Sequence, residues 1–303
     1  MKNKALLFLK GVAMGAADVV PGVSGGTVAF ITGIYDELLD ALSRIPEAAW
    51  LLVRGQVKAA WQLANANFLL ILFSGILLSV LTLARLITWL LDTQPIALWS
   101  FFFGLILVSC YLVARDIQRW QLSRWFVFCV GAGFAWWITV ASPLSWGDDL
   151  LSLFAAGAIA ICAMILPGIS GSFILLLLGL YPTVLLAVKQ LNFSILLVFA
   201  AGCLFGLLAF AKVLHAALQH FRDLTLALLT GIMFGSLNKI WPWKQTLSWR
   251  IDRHGNELPM LQENISPWHF AEVFQIDAQL IPALLLSIFG IVLVIVIERY
   301  ASK

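Results

Sequence analysis

The sequence predicts an all-α polytopic membrane protein made of two inverted repeats, each a re-entrant broken-helix hairpin followed by three transmembrane helices. Three observations lead there: an apolar composition gathered into bilayer-length runs, an interrupted segment that occurs twice, and basic residues distributed as an odd number of crossings per repeat requires. Of the 303 residues, 61% are hydrophobic and 12% charged, and mean hydropathy is +0.95. Soluble domains carry about 25% charged residues. The apolar runs are about 18 to 25 residues long, enough to cross hydrocarbon. The net charge of +3 is small and gives no case for a nucleic-acid partner. Cys110, Cys129, Cys162 and Cys203 all sit in apolar runs without metal-like spacing, which makes them packing residues.

The interrupted segment is Gly11–Tyr35, GVAMGAADVVPGVSGGTVAFITGIY, and its counterpart is Gly157–Tyr181, GAIAICAMILPGISGSFILLLLGLY. At a shift of 146 (167 − 21), Pro21, Gly22, Ser24, Gly25, Gly33 and Tyr35 meet Pro167, Gly168, Ser170, Gly171, Gly179 and Tyr181 without a gap. Further along, a shift of 127 (202 − 75) superposes Gly75 on Gly202, Ala84-Arg85 on Ala211-Lys212, Gly104 on Gly231 and Ser109 on Ser236. The difference of 19 (146 − 127) is extra chain in the first copy.

In chain order, the first repeat covers 1–146. It holds a re-entrant segment over 5–42, an amphipathic interfacial stretch over 43–66 with Trp50 and Trp61 beside Arg44, Arg54 and Lys58, and spans at 68–91, 97–114 and 124–141. The second repeat covers 147–303: a re-entrant segment over 152–187, spans at 194–218 and 223–241, a polar Trp-rich insertion over 242–279, and a last span at 280–298. Lys2, Lys4 and Lys10 ahead of an apolar run faintly resemble a signal peptide, but Asp18 and the Pro-Gly pair argue against cleavage.

If each broken segment enters and leaves on one side, each repeat crosses three times and the two must be inverted, a recurrent transporter architecture. The positive-inside rule agrees. With both termini cytoplasmic, thirteen Lys and Arg lie inside and six outside (Arg85, Lys189, Lys239, Lys244, Arg250 and Arg253), and the short outer loops 92–96 and 142–150 have none.

Proline lacks an amide hydrogen and glycine tolerates unusual backbone angles, so Pro-Gly-x-Ser-Gly should break a helix. In hydrocarbon such a break persists only where protein or a polar cavity satisfies the backbone. Beyond it a new half-helix starts, whose free amides and dipole suit an anion, with Ser24 and Ser170 as caps. The candidate phosphate-binding set is Gly22, Ser24, Gly25, Gly26 and Thr27 with Gly168, Ser170, Gly171 and Ser172. Arg85 and Lys212 join it as intramembrane charges, although each lies near enough to a span end to snorkel. Close packing of small residues is the competing account of a single break; a matched pair favours a site. Asp18 could pair with a cation or carry a proton, so coupling to H+ or Na+ stays open; Tyr35 and Tyr181 could belong to aromatic belts or gate a cavity. His215 lies one turn after Lys212. Asp36, Asp92, Asp148 and Asp149 look like solvated loop charges, and the four histidines, His254 among them, are too dispersed for a ligand set. No catalytic set, metal motif or cofactor loop is present in the pattern, which speaks against an enzyme.

Met14–Tyr35, with GAADVVPGVSGGT and then GIY, closely resembles the start of a bacterial family of polyprenyl-phosphate transporters, long catalogued as a membrane domain of unknown function. LPGISGS followed by GLY resembles that family's internal repeat. The resemblance implies a multi-pass protein of the bacterial cytoplasmic (inner) membrane that returns undecaprenyl phosphate from the outer to the inner leaflet for peptidoglycan and other envelope polymers. The alternatives are a small-anion carrier and a membrane lipid-phosphate phosphatase or transferase.

Overall fold

The structure is a computed structural model that describes residues 4–20, 22–142, 144, 146–147, 149–251 and 257–301. Lys2, Pro21, Asp148, Arg253, His254 and Lys303 lie outside the described residues, as does the side chain of Arg250.

The chain is mostly helical. It opens with three short helices, α1 (Lys4–Val19), α2 (Gly25–Ile31) and α3 (Tyr35–Ser43), followed by α4 (Ile45–Val53) and α5 (Val57–Leu63). Three long helices come next: α6 (Ala66–Thr93), α7 (Pro95–Arg115) and α8 (Leu122–Val140). The order then repeats with α9 (Leu150–Ile165), α10 (Gly171–Leu177), α11 (Tyr181–Gln190), α12 (Phe193–His220) and α13 (Arg222–Ser236). A hairpin of β1 (Lys244–Ile251) and β2 (Glu257–Asn264), then α14 (Pro267–Phe274), precede the final α15 (Leu280–Ala301). Among the described residues, α6, α7, α8, α12 and α15 are long and apolar enough to cross a membrane, and α10 with α11 qualifies as a pair bent by 111°.

Three features differ from the sequence expectation. The fold is not wholly α-helical: part of the insertion forms an antiparallel two-stranded sheet with an irregular register near Thr246 and Ser248. The alternation Leu247-Ser248-Trp249-Arg250-Ile251 fits a strand's period of two, which hydropathy over a long window averages away. The amphipathic stretch expected as one interfacial unit over 43–66 is divided into α4 and α5, because Gly55 turns the chain at φ +74°. The span expected to reach 241 stops as a helix at Ser236, where Leu237–Ile240 coil into hydrogen-bonded turns. Its 15 residues rise about 22 Å against a hydrocarbon core of about 30 Å.

Small residues decide which helices touch. A methyl on Gly11 would lie 2.3 Å from the Leu72 carbonyl and one on Gly15 2.6 Å from that of Ile76, so α1 runs alongside α6 in the same direction. Gly202 against Phe154 and Gly206 against Ala158 set α12 parallel to α9 in the same way. Such notches let backbones approach and gain dispersion contact where no hydrophobic drive separates protein from lipid.

The remaining pairs cross between the halves. Gly131 of α8 packs on Leu228 of α13, and Gly290 of α15 packs on Phe101 of α7. Gly231 of α13 packs on Phe128 of α8, while Gly104 of α7 packs on Ser287 of α15. The offsets match, because 228 − 101 and 231 − 104 are both 127, and 290 − 131 and 287 − 128 are both 159. The third long helix of each half therefore lies on the second helix of the other.

Candidate functional site

The two breaks touch. Gly22 and Gly168 both adopt left-handed backbone angles, φ +90° and +92°, which only glycine takes without strain. Each amide is caught by a hydroxyl from the opposite copy: Gly22 N–H donates to Ser170 Oγ at 3.0 Å, and Gly168 N–H donates to Thr27 Oγ1 at 3.0 Å. Ser24 Oγ donates toward the Met164 and Leu166 carbonyls at 3.0 and 3.1 Å, orphans left where α9 ends. Tyr35 is buried and its hydroxyl donates to the Ile165 carbonyl at 3.1 Å. Ser24, Thr27 and Ser170 are buried too. The backbone groups released by the two breaks are thus satisfied by each other's side chains, as a non-aqueous surrounding demands.

The half-helix starts differ. At α2, Ser24 Oγ accepts from Gly26 N–H at 3.1 Å and Asp18 Oδ1 accepts from Gly25 N–H at 2.7 Å. A carboxylate of the chain itself already sits where an external anion would bind. Gly25 is obligatory, since a methyl there would be 2.6 Å from Asp18 Oδ2, and one on Gly26 would be 2.5 Å from the Ile165 carbonyl. At α10, Ser170 Oγ accepts from Phe173 N–H at 3.3 Å and lies 3.4 Å from Ser172 Oγ. Position 164, the counterpart of 18, is methionine, so no carboxylate caps this end. Gly171 packs close, its methyl position 2.7 Å from the Ala160 carbonyl.

Of the residues named from sequence, Gly22, Ser24, Gly25, Gly26, Thr27, Gly168, Ser170, Gly171, Ser172, Asp18 and Tyr35 gather at this crossing. The others do not. Arg85 and Lys212 occupy exposed faces of α6 and α12, while the breaks are framed by α1, α2, α9 and α10. Their charges point away because the buried faces of those helices are taken by Ser79 and Ile87 and by Ala211 and Leu214. Tyr181 is 37% exposed, unlike its counterpart Tyr35 at 3%. His215 Nε2 stands 3.5 Å from Asp40 Oδ1, in a polar group shared with Arg44. Asp36 is not merely solvated: its carboxylate meets Arg222 at 3.3 Å.

Two lysines counted from the sequence on the outer side, Lys239 at the end of the span 223–241 and Lys244 in the insertion, belong to this region. The stem of Lys239 crosses the first break, its Cγ 2.9 Å from where a Gly22 methyl would be, and its ammonium lies 4.7 Å from the Phe173 ring centre at the second half-helix. Lys244 donates to the Lys239 carbonyl and rests 4.9 Å from the ring centre of Trp99. Burial, with the neighbouring Lys239 charge, pushes the Lys244 ammonium down to about 7. Among the described residues neither ammonium has a carboxylate at ion-pair distance. Lys239 fell inside the predicted span 223–241, and an ionisable residue in a span was the available signal.

Both lysines line a cleft of about 360 Å³ with Asn238, Asn264 and the exposed Glu263. An apolar groove of about 450 Å³ adjoins it, lined by Phe103, Ala132, Gly133, Phe234 and Trp241, and shares Trp136, Asn238 and Asn264 with the cleft. No group of three or more His, Cys, Asp or Glu suited to a metal occurs among the described residues.

A family model described as undecaprenyl phosphate translocase-like matches residues 14–258, from ahead of the first break to the start of β2. The chain belongs to the undecaprenyl phosphate translocase-like family. Within it, a polyprenyl-phosphate transporter of Vibrio cholerae is 52% identical over 302 residues, 99% of this chain and 98% of that protein. A polyprenyl-phosphate transporter of Staphylococcus aureus is 34% identical over 258 residues, 79% and 87% of the two chains. No solved structure matches. The family model covers both breaks and the two lysines, while Glu263, Asn264 and α15 lie beyond its end, in the stretch that the Vibrio cholerae protein also matches.

Proposed function

We propose that this chain transports undecaprenyl phosphate between the leaflets of the bacterial cytoplasmic membrane, returning the carrier lipid from the outer to the inner face, and does no chemistry on it. The observation that carries the reading is the end-to-end likeness to the Vibrio cholerae polyprenyl-phosphate transporter. The geometry is compatible with a moving phosphate. The two breaks hold each other through four hydroxyls, and the same amides and hydroxyls can serve phosphate oxygens when their partners separate.

The architecture is two inverted repeats with a re-entrant hairpin in each. The exchange of third helices at matched offsets supports a two-fold relation. So do helix directions: α8 lies parallel to α13, while α7, the repeat counterpart of α13, must return against α8 through the short connector 116–121. Counterparts running in opposite directions are the mark of inversion. Both termini lie in the cytoplasm, with the hairpin β1–β2 outside. Alternating access then exchanges the cross-bonds Gly22–Ser170 and Gly168–Thr27 for bonds to the headgroup, while the tail stays in lipid.

The test is a proteoliposome carrying a short fluorescent polyprenyl phosphate in one leaflet. Purified protein should speed its appearance in the other leaflet, and proton or sodium gradients imposed in turn read any coupling. No acceleration under any gradient would remove the transporter reading, and release of inorganic phosphate would replace it with an enzyme.

A further inference from the structure

We propose that the Lys239–Lys244 cleft and the groove beside it form one amphiphile-binding site, with the cleft holding the phosphate monoester headgroup and the groove holding the first isoprenoid units. The inference rests on the transporter reading and adds to it the place where the lipid docks on the hairpin side.

Charge is the first argument. Two ammonium groups line the same cleft, neither has a carboxylate partner among the described residues, and both are packed over aromatic rings rather than extended into solvent. Isolated like charges in a partly buried cleft are costly unless an anion offsets them. A phosphate monoester supplies close to two negative charges and three acceptor oxygens. The amides of Asn238 and Asn264 lie on the same wall; at present Asn264 Nδ2 donates to Asn238 Oδ1 and Asn238 Nδ2 to Thr139 Oγ1, at 2.8 and 2.7 Å. Glu263 stands exposed at the rim and is the carboxylate the headgroup must pass.

Shape is the second argument. A cleft for inorganic phosphate needs no apolar annex, yet this one is continuous, through Trp136, Asn238 and Asn264, with a groove of aromatic and small residues. At Gly133 the groove is open: a methyl group there would meet nothing within 4 Å. The groove opens where α13 stops at Ser236, with Leu237 and Asn238 of the following turns in its lining. The position also joins the cleft to the breaks, since the Lys239 stem lies against Gly22 and its ammonium faces Phe173.

Binding of geranylgeranyl phosphate to the full-length protein in lipid nanodiscs tests the site, with inorganic phosphate as the tailless probe. Wild type should bind the lipid, and equimolar inorganic phosphate should not displace it. Lys239→Gln and Lys244→Gln should each weaken binding at least about tenfold. Gly133→Leu, whose added side chain starts from an open position and projects into the groove, should weaken the tailed ligand by a similar factor. Lys58→Gln, on exposed α5, should leave binding unchanged. Wild-type binding that survives all three site substitutions overturns the site and leaves the transporter reading standing. Wild type that binds no tailed phosphate overturns both, and displacement by inorganic phosphate at equal concentration overturns the groove's role. Size-exclusion profiles and melting temperatures matching wild type certify each variant as folded.

Discussion

The two breaks share a motif, a backbone and a set of mutual contacts, yet their surroundings carry opposite charge. Beside the first, Asp18 accepts from Gly25 N–H and supplies the anion that the α2 terminus would otherwise attract. Beside the second, the same position is Met164, and the nearby charge is the Lys239 ammonium over Phe173. The cross-bonds are unequal as well: Gly22 is served by Ser170, but Gly168 by Thr27, whose own counterpart is Phe173 and has no hydroxyl. A duplicated backbone thus has one end capped by a carboxylate and a hydroxyl and one capped by a hydroxyl alone.

Substitutions at the paired glycines should separate the copies most. Gly168→Val places its Cβ 2.9 Å from the Met233 backbone at a left-handed φ, and should cost about 3 kcal/mol or more. At Gly22 the obstacle is the Lys239 stem, which can move, so Gly22→Val should cost about 1–3 kcal/mol. Thermal unfolding in detergent ranks the two, and equal losses would remove the distinction.

Next come the caps. Asp18→Ala frees the Gly25 amide and removes a charge-assisted bond, at a cost of about 1.5–3 kcal/mol, whereas Met164→Leu, its counterpart, should cost less than about 1.5 kcal/mol. Thr27→Val orphans the buried Gly168 amide and should cost about 1–3 kcal/mol. Denaturant titrations of the variants read these differences directly.

The pH response probes the lysine cleft. Lys244 sits at about 7 in the folded chain, against about 10.4 when unfolded. Between those values the unfolded chain binds more protons, so this group makes stability rise with pH, while the free cleft loses a positive charge. The phosphate is already a dianion above its second pKa of about 6, so affinity for geranylgeranyl phosphate should fall from pH 7 to 9. Among the described residues, Lys239 and Glu263 are the other charges lining the cleft. Lys244→Arg should flatten the fall; an unchanged slope would assign it to another group. The smallest effect belongs to the tyrosines: Tyr35→Phe should cost about 1 kcal/mol, and exposed Tyr181→Phe less than about 0.5 kcal/mol.

Much of this was legible in the sequence because the relevant signals are local or periodic. Apolar runs mark long helices, and Pro-Gly-x-Ser-Gly marks a break wherever it occurs. Gapless recurrence at one shift marks a pair. That the pair meets is visible only in the fold, where Ser24, Thr27, Ser170 and Tyr35 bond across it. What stayed hidden depends on rotation and on turns. Whether Arg85 faces a neighbour or the outside follows from about 100° of helical phase per residue, which a hydrophobic run does not fix. The halt of α13 at Ser236 depends on the turns through Ile240, and with it went the position of Lys239. The strands of the hairpin vanish in a window wide enough to find a membrane helix.

The exchange of helices between halves has a consequence for how the chain is made. As α7 and α8 leave the ribosome, Gly104 and Gly131 face partners, on α15 and α13, that have not yet been synthesised. The first half must therefore wait in the membrane with its notches unfilled, and α15, the last helix delivered, completes a contact begun by α7. Assembly therefore needs contacts from both halves, and a ribosome stalled after α8 would leave an insertion intermediate rather than a finished domain.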